Sequence, residues 1–247
     1  PFARPAGRPD LRGQVVAVTG GGRGLGRALV LAFGEAGADV ALSYCESEAG
    51  AREVAEVLQG MGRRVFCAPA DARVPGRMAA FVDEAASTLG GLDVLVNNAG
   101  LFRRAEIGEL DEAELDEAFA VNVKAAVMTS RAAAPHMRRR GGGSIVNVAS
   151  LGGMRPWKAH LPYCVSKAAL LMATECLAVA LAPQIRVNAV APGILDPPGA
   201  DQRLEKKVPL SRFGDHEEAV GAVLYLASSA QYTTGDVLRV DGGRFLV

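Results

Sequence analysis

Short runs of apolar, largely β-branched residues alternate with amphipathic stretches along the whole chain. The apolar runs predict strands at residues 14–19, 39–43, 64–69, 92–96, 144–149, 185–190 and 237–240. The helical spacing of apolar positions between them predicts helices at residues 24–37, 47–61, 74–89, 111–139, 162–182 and 216–229. Strands that are apolar throughout and separated by helices are typical of a parallel sheet covered on both faces.

The order of these elements predicts a single domain of the α/β class. Right-handed crossovers between parallel strands generate a doubly wound, Rossmann-type sheet, here of seven strands with helices on both faces. No linker rich in Pro, Gly or Ser divides the chain, and no internal repeat is present. We therefore expect one domain over residues 11–247, preceded by a flexible leader at residues 1–10, whose sequence is PFARPAGRPD.

Composition narrows the class of function. The formal net charge is zero, so the chain lacks the positive charge expected of a nucleic-acid-binding protein. The four cysteines are widely spaced and form no CxxC pair, so we expect reduced thiols, no metal site and no redox motif; they are Cys45, Cys67, Cys164 and Cys176. No uninterrupted apolar run reaches the roughly 20 residues of a membrane span, and the first ten residues contain no signal-peptide core. These observations predict a cytoplasmic protein that binds neither nucleic acid nor membrane.

A glycine-rich turn joins the first predicted strand to the first predicted helix. Its sequence is Thr19-Gly20-Gly21-Gly22-Arg23-Gly24-Leu25-Gly26. Glycines let the backbone approach a pyrophosphate closely with positive φ angles, and the free amides and dipole of a helix start attract the anion. The strand–turn–helix context distinguishes a dinucleotide site from a merely flexible turn. The cofactor contacts expected in this turn are Gly20, Gly22, Arg23, Gly24, Leu25 and Gly26.

The end of the second predicted strand bears on the choice between NAD(H) and NADP(H). NAD-specific proteins place an acidic residue there to bind the ribose 2′-hydroxyl, whereas this strand ends in Ser43 and Tyr44. Hydroxyl side chains tolerate a 2′-phosphate, and Arg23 in the glycine turn can supply positive charge to it. We therefore expect NADP(H) as the cofactor, while Glu46 is a nearby acid that argues for NAD(H).

Tyr163 and Lys167 are the strongest candidates for chemistry. Their i, i+4 spacing places a phenol and an ammonium on one face of a predicted helix. A free tyrosine has a pKa of about 10 and transfers protons poorly at neutral pH, but a nearby ammonium group lowers that pKa. The sequence therefore predicts an acid–base tyrosine whose pKa is drawn down by Lys167.

Taken together, these motifs resemble the short-chain dehydrogenase/reductase family. The glycine turn has the TGxxxGxG spacing of that family instead of the GxGxxG of larger dehydrogenases. Further matching motifs follow in the family's order: Asn97-Asn98-Ala99-Gly100 after the fourth strand, Asn122 in the long helix, and Ser150 thirteen residues before Tyr163. The resemblance covers nearly the whole chain, from about residue 11 to residue 247.

The resemblance implies an oxidoreductase that moves hydride between nicotinamide and a carbonyl or alcohol of a small molecule, without a metal. Ser150 would orient the carbonyl, and Tyr163 would exchange a proton with its oxygen. Lys167 would tune Tyr163, and Asn122 would hold a water on Lys167. The further cofactor contacts implied are Asp71 and Ala72 near adenine, Asn98, Ala99 and Gly100 beside adenosine, Tyr163 and Lys167 at the nicotinamide ribose, and Pro192, Gly193 and Ile194 beside nicotinamide.

The substrate is less defined by the sequence. Many relatives carry a threonine where this chain has Pro197, and residues 182–188 and 197–199 resemble pteridine reductases within the family. Cys45, Glu46 and Ser150 argue against that assignment. Phe102, Trp157 and His160 are candidates to border the substrate site, and for Phe102 a packing role is an equal alternative to stacking on a flat substrate.

Three functions therefore remain in competition: a carbonyl reductase, a pteridine-type C=N reductase, and a dinucleotide-sensing protein without catalysis. A protein that only senses a dinucleotide does not need catalytic residues. All four catalytic candidates, Asn122, Ser150, Tyr163 and Lys167, are present, which favours an enzyme.

The helix after Tyr163 also predicts an assembly. Residues 168–181 are apolar except at Thr174 and Glu175, and monomers seldom expose such a surface. We expect a homotetramer built on two-fold contacts, as is common in the family.

Overall fold

Seven parallel strands form one sheet in a computed structural model that describes residues 9–195 and 202–247. The strands are Val15–Val18 (β1), Asp39–Tyr44 (β2), Val65–Pro69 (β3), Val94–Asn97 (β4), Gly143–Val148 (β5), Ile185–Pro192 (β6) and Val237–Val240 (β7). Their order across the sheet is β3-β2-β1-β4-β5-β6-β7, and every pair is parallel. This confirms the predicted seven-stranded, doubly wound sheet. Most of the predicted leader, residues 1–8, and Pro197 lie outside the described residues.

Seven α-helices are found in the described part of the chain, and they cover both faces of the sheet. They are Gly24–Glu35 (α1), Glu48–Gly60 (α2), Arg77–Leu89 (α3), Glu112–Phe119 (α4), Ala125–Arg139 (α5), Leu161–Leu181 (α6) and His216–Leu224 (α7). Alternate residues of β1 point to opposite faces, so Val16 and Val18 pack in a core with α1, α2 and α7. Val15 and Ala17 pack in a second core with α3, α5 and α6.

Two predicted helices are interrupted where the sequence indicated a continuous helix. The helix predicted at 111–139 is divided into α4 and α5 by a π-helical turn at Ala120–Lys124, in which the Ala125 amide donates to the Ala120 carbonyl. A second π-helical turn, Tyr225–Ser229, ends the helix predicted at 216–229. The helix predicted from residue 74 begins at Arg77, because Gly76 has a φ of 80° that interrupts helical geometry before it.

The chain reverses direction across the sheet between β1 and β4. From β1 the following strands β2 and β3 lie on one side, and from β4 the strands β5, β6 and β7 lie on the other. Ligands of open α/β sheets bind in the crevice outside the carboxyl ends of the strands at such a switch point. The glycine turn after β1 and Asn98 after β4 meet at this crevice.

Helix α6 is the long, mostly apolar helix that packs against the sheet near β6. Its inward side includes Ser166, Lys167, Leu170, Thr174 and Ala178, which are buried. Among the helices of the described segments, only α6 is long and apolar enough to pass for a membrane span by length and composition. It packs against β6, as a core helix of an α/β domain does, and Lys167 and Glu175 interrupt its apolar sequence.

Candidate active site

A cavity of about 380 Å³ opens at the carboxyl ends of the strands on the switch-point crevice. It brings together twelve of the residues that the sequence predicted to contact a dinucleotide: Gly20, Arg23, Gly24, Leu25, Gly26, Ser43, Tyr44, Asp71, Ala72, Asn98, Ala99 and Gly100. These residues come from the ends of β1, β2, β3 and β4, so the sheet itself sets their spacing.

The first turn of α1 presents unsatisfied amides to this cavity. No side chain caps the start of the helix, and no acidic residue lies in its first turn. Gly24 lines the cavity with a φ of 52°, and a Cβ added there would meet no protein atom within 4 Å. The helix start is therefore a positively polarised, open backbone surface of the kind that binds a pyrophosphate.

Side chains from β4 hold the glycine turn in place. The Asn98 side-chain amide donates to the carbonyls of Thr19 and Gly20, at 2.9 and 3.1 Å. The Thr19 hydroxyl in turn accepts from the backbone amides of Asn98 and Ala99. Asn98 thus fixes the shape of the turn, a role that the sequence analysis did not assign to it.

Gly22 does not line the cavity, although the sequence placed it among the cofactor contacts. A Cβ on Gly22 would lie 2.4 Å from the Ser47 hydroxyl oxygen and 2.7 Å from the Ser47 carbonyl oxygen. The glycine is required because the turn packs directly against the residue before α2. In this structure the position serves packing within the protein.

Polar residues at the end of β2 and in the glycine turn beside it have different surroundings. The Ser43 hydroxyl accepts from the Gly20 amide at 3.1 Å, and the side chain is buried. Arg23 is exposed at the cavity wall, and Glu46 lies on the wall as well. Ser43 therefore supports the glycine turn as well as lining the cavity, and Arg23 and Glu46 are exposed charged groups on its wall.

Arg73 is a cavity residue that the sequence analysis missed. Its guanidinium donates to both carboxylate oxygens of Asp71 and to the Cys45 thiol, and pairs with Glu117. Hydrogen bonds from Arg73 lower the pKa of the Asp71 carboxyl, and the same pairing raises the pKa of Arg73. The sequence signal for Arg73 was a basic residue two positions after Asp71, the predicted adenine contact. Whether that side chain points into the cavity depends on the conformation of the loop after β3.

Ser150, Tyr163 and Lys167 lie together next to this cavity, outside its lining. Ser150 follows β5 and starts a short 3₁₀ turn, where its hydroxyl accepts from the Gly152 amide at 3.0 Å. The Ser150 side chain lies near Tyr163, where hydrogen bonding to the phenol oxygen acts to lower its pKa. The Lys167 ammonium donates to the Val148 carbonyl at 2.8 Å and lies 5.9 Å from the centre of the Tyr163 ring. A Cβ on Gly100, which lines the cavity, would be 3.4 Å from Lys167 Nζ.

The pKa of Tyr163 moves in the direction opposite to the expectation. Burial raises it above the ordinary value, and the hydrogen bond from Ser150 opposes that rise only in part. The expected lowering by Lys167 is absent because burial also lowers the pKa of Lys167, to about 8, and its ammonium is engaged with Val148. At neutral pH the site therefore holds a protonated phenol next to a protonated amine.

Asn122 lies in the π-helical turn between α4 and α5, and its side chain is fully engaged. Its amide nitrogen donates to the Leu101 carbonyl at 3.0 Å and to the Ser166 hydroxyl at 2.9 Å. Its oxygen accepts from the Leu101 amide at 2.7 Å. The side chain thus clamps the segment after Gly100 to α6, next to Lys167.

Pro192, Gly193 and Ile194 leave the end of β6 at the same edge of the sheet. The Gly193 amide donates to the Val240 carbonyl, and a Cβ on Gly193 would lie 2.9 Å from Asp241 Cα. These residues are not in the lining of the 380 Å³ cavity.

The structure brings Phe102, Trp157 and His160 into contact around Tyr163. The Phe102 ring lies 4.8 Å from that of Tyr163 and 4.9 Å from that of His160, and the Trp157 ring lies 5.9 Å from that of Tyr163. Over residues 9–195 and 202–247, no group of three or more His, Cys, Asp or Glu side chains is placed to hold a metal ion.

Known proteins match this chain over nearly its whole length. A family model described as Enoyl-(Acyl carrier protein) reductase matches residues 20–244. The 3-oxoacyl-[acyl-carrier-protein] reductase FabG of Staphylococcus aureus is 34% identical over 238 residues, which cover 93% of this chain and 97% of that protein.

Solved structures show the same relationship. A short-chain dehydrogenase/reductase from Serratia marcescens BCRC 10948 superposes with a TM-score of 0.91 at 36% identity, covering 96% of this chain and 99% of that chain. A blue fluorescent protein from a metagenomic library, solved in complex with NADPH, gives a TM-score of 0.91 at 34% identity, covering 95% and 99%. With the fold and the order of the motifs, these matches show that the chain is an oxidoreductase of the short-chain dehydrogenase/reductase family.

Proposed function

We propose that this protein is an NADP(H)-dependent carbonyl reductase acting on a small molecule. The observation that carries the proposal is that Ser150, Tyr163 and Lys167 lie together next to the cavity lined by the predicted dinucleotide contacts. The serine and tyrosine hydroxyls can both turn to donate to one acceptor, which is what a carbonyl oxygen needs as negative charge develops on it.

The cavity fits a nicotinamide dinucleotide. The uncapped start of α1 and the open space at Gly24 suit the pyrophosphate, and the polar ends of β2 and β3 suit the adenosine. The Lys167 ammonium, beside Gly100, is placed to donate to a ribose hydroxyl at the other end.

Residues of this chain supply the proton, the hydrogen bond and the positive charge that the reaction needs. When bound, the nicotinamide supplies the hydride. The Tyr163 phenol holds a proton for the substrate oxygen, and its raised pKa keeps that proton in place at neutral pH. The Ser150 hydroxyl donates a hydrogen bond to the same oxygen. Lys167, buried and charged below about pH 8, supplies positive charge next to the phenol as the proton leaves.

Charge at the adenosine end supports NADP(H). Arg23 and Arg73 line the cavity, and the Arg23 guanidinium makes no hydrogen bond or ion pair with the rest of the described chain. Glu46, Asp71 and Glu117 on the same wall oppose a 2′-phosphate, but Asp71 and Glu117 are already paired with Arg73. The NADPH complex of the metagenomic relative agrees with this choice.

Absorbance of NADPH at 340 nm tests the function directly. The purified protein is mixed with NADPH and a panel of simple ketones, 3-oxoacyl thioesters and dihydropterins. Oxidation of NADPH with a ketone or a 3-oxoacyl thioester supports carbonyl reduction, and the FabG relative makes the thioesters a natural part of the panel. Oxidation with dihydropterins alone would instead establish the C=N reductase, and binding of NADPH without turnover of any substrate would establish a sensor.

The same proposal includes assembly as a homotetramer in the cytoplasm. The outward face of α6 is a stripe at helical spacing that includes Leu161, Val165, Met172, Cys176 and Val179. Val179 is 83% exposed and Met172 58% exposed in the isolated subunit. Glu175 also lies outside, whereas Thr174 faces the sheet. Isologous pairing of such helices would remove the stripe from water.

A further inference from the structure

Four aromatic rings form a contiguous group around the proposed catalytic tyrosine. We call Phe102, Trp157 and His160, together with Tyr163, the aromatic cluster. Phe102 meets Tyr163 edge to face, with planes at 81°, and Trp157 lies nearly parallel to Tyr163, with planes at 23°. The proton-donating side chain thus has rings on more than one side.

Backbone contacts fix the two segments that supply these rings. The Ala105 amide donates to the Ala159 carbonyl, and Ala105 forms a bridge with His160, so the Phe102 segment is tied to the loop before α6. Gly152 leaves the space in which Trp157 approaches Tyr163. A Cβ there would lie 3.0 Å from the Tyr163 ring and 3.2 Å from the Trp157 ring. The arrangement of rings is therefore built into the loops.

One ring of the aromatic cluster is exposed to solvent, while Trp157, His160 and Tyr163 are half-buried. Phe102 is 62% exposed although it touches His160 and Tyr163, so one of its faces lacks a partner. A ring needed only for packing is normally buried, since exposure forfeits the hydrophobic gain. An exposed ring in contact with the Tyr163 ring offers a surface that a ligand can cover.

The polarity of the aromatic cluster restricts what that ligand can be. His160 Nδ1 is bonded to the Lys158 carbonyl, which only accepts, so Nδ1 carries a proton and Nε2 is the polar atom left on the ring. The other surfaces offered beside Tyr163 are π faces and ring edges. Such surfaces favour a flat ring, which stacks on or meets the edges of its neighbours, over a saturated chain of similar size.

We propose that the aromatic cluster binds a planar conjugated ring attached directly to the reacting carbonyl, so that the substrates are aryl or similarly conjugated ketones. The ring lies against Phe102 and Trp157 while the carbonyl oxygen reaches Ser150 and Tyr163. This inference rests on the proposed carbonyl reductase function, and it specifies the substrate class.

Trp157 is the single tryptophan of the chain, so its fluorescence reports on the aromatic cluster without catalysis. The probes are benzamide and cyclohexanecarboxamide, two unreactive carbonyl compounds that differ in the planarity of the ring. Each is titrated into the protein saturated with NADP⁺. We expect benzamide to change Trp157 emission and to bind at least about 5-fold more tightly than cyclohexanecarboxamide, the size of effect that an aromatic contact contributes. Equal binding of the two probes, or no binding of benzamide, overturns the inference.

Substitutions then locate the effect. Phe102→Leu should weaken benzamide binding by about 5-fold and leave cyclohexanecarboxamide within about 2-fold. Tyr232→Leu removes a fully exposed aromatic ring outside the aromatic cluster and should change neither. Circular dichroism melting confirms that each variant is folded. If Phe102→Leu weakens both probes equally, the ring acts as bulk and the planar preference is wrong.

Kinetics separate this inference from the function on which it rests. The ratio of kcat/KM for acetophenone to that for cyclohexyl methyl ketone is measured in the wild type, Phe102→Leu, Trp157→Leu and Tyr232→Leu. The ratio should fall at least about 5-fold in the first two variants alone. An unchanged ratio with active enzyme overturns the inference and leaves carbonyl reduction standing. Absence of turnover with every ketone overturns the proposed function, while the fluorescence titration still decides whether the aromatic cluster binds a planar ring.

Discussion

Tyr163 keeps its proton at neutral pH because burial outweighs the hydrogen bond from Ser150. A group in that state is an acid, so the reductive direction needs no prior proton uptake by the tyrosine. Tyr163→Phe removes only the hydroxyl and keeps the ring that Phe102 and Trp157 contact. We expect turnover to fall at least about 10²-fold, the usual scale for losing a general acid, with little change in the Kd for NADPH. Steady-state rates and a fluorescence titration measure the two quantities, and near-full activity would contradict the mechanism.

Lys167 makes stability depend on pH. Its pKa is about 8 in the folded protein against 10.5 for a free lysine, so the unfolded chain binds more protons between these values. The free energy of unfolding contributed by this group therefore rises as the pH increases from about 8 to 10.5. Lys167→Met removes this pH dependence. The free energy of unfolding of the variant relative to that of the wild type should therefore fall as the pH rises, by about 3 kcal/mol at most between pH 8 and 10.5. Urea unfolding of both proteins without cofactor, at intervals from pH 7.5 to 10, measures the difference; a constant difference would show that the ammonium is not destabilised by burial.

Arg23 and Arg73 are expected to set the preference for NADPH. Arg23→Ala should raise the Kd for NADPH about 10-fold and that for NADH less than about 2-fold, because a charge-assisted bond to the 2′-phosphate is lost. Arg73→Ala should have a smaller effect, since its guanidinium is shared with Asp71 and Glu117. Arg27→Ala is the control, because Arg27 pairs with Glu53 and does not line the cavity. Tighter binding of NADH than NADPH to the wild type would assign the ribose pocket to Glu46.

At the level of elements, a buried polar chain joins the sheet to α6. Asn97 donates to the Asn147 side chain at 2.8 Å, and Asn147 donates to the Thr174 hydroxyl at 2.9 Å. The Thr174 hydroxyl donates onward to the Leu170 carbonyl. All three polar side chains are buried, so each depends on the next for its hydrogen bonds.

Thr174→Val should lower the free energy of unfolding by about 1–3 kcal/mol, because it leaves the Asn147 amide unpaired in the core. Thr88→Val is matched in chemistry, since that hydroxyl also bonds a carbonyl one turn back but is exposed, and it should cost less than about 0.5 kcal/mol. Chemical denaturation measures both values. Equal losses in the free energy of unfolding for the two variants would mean that burying the hydrogen bonds of Asn97, Asn147 and Thr174 adds no stability.

Periodicity in the sequence was sufficient to place the seven strands along the chain, because buried parallel strands and covering helices leave distinct patterns. It did not reveal the π-helical turn at Ala120–Lys124, since the extra residue is accommodated by Asn122 bonding to Leu101, which is distant in sequence. Local spacing grouped Tyr163 with Lys167 correctly. The direction of the Tyr163 pKa was wrong, because burial is a property of the packed loops. Arg73 was missed for the same reason.

For the molecule as a whole, the exposed stripe on α6 predicts the state of assembly. Light scattering at micromolar concentration should give four times the subunit mass of 25.7 kDa. Val179→Lys places a charge on a residue that is 83% exposed in the subunit and should produce smaller species. Val57→Lys, on α2, is the control and should leave the mass unchanged. A wild-type monomer would show that the stripe is tolerated in water.

Helix α6 packs in the core and carries residues of both the proposed catalytic site and the proposed contact between subunits. Tyr163 and Lys167 are the proposed catalytic residues, Leu170 and Thr174 are buried, and Met172 and Val179 face outward. Few of its positions are then free to vary without a cost in rate, folding or association. In a saturation-mutagenesis screen α6 should tolerate far fewer replacements than α2, an amphipathic helix with an exposed outer side.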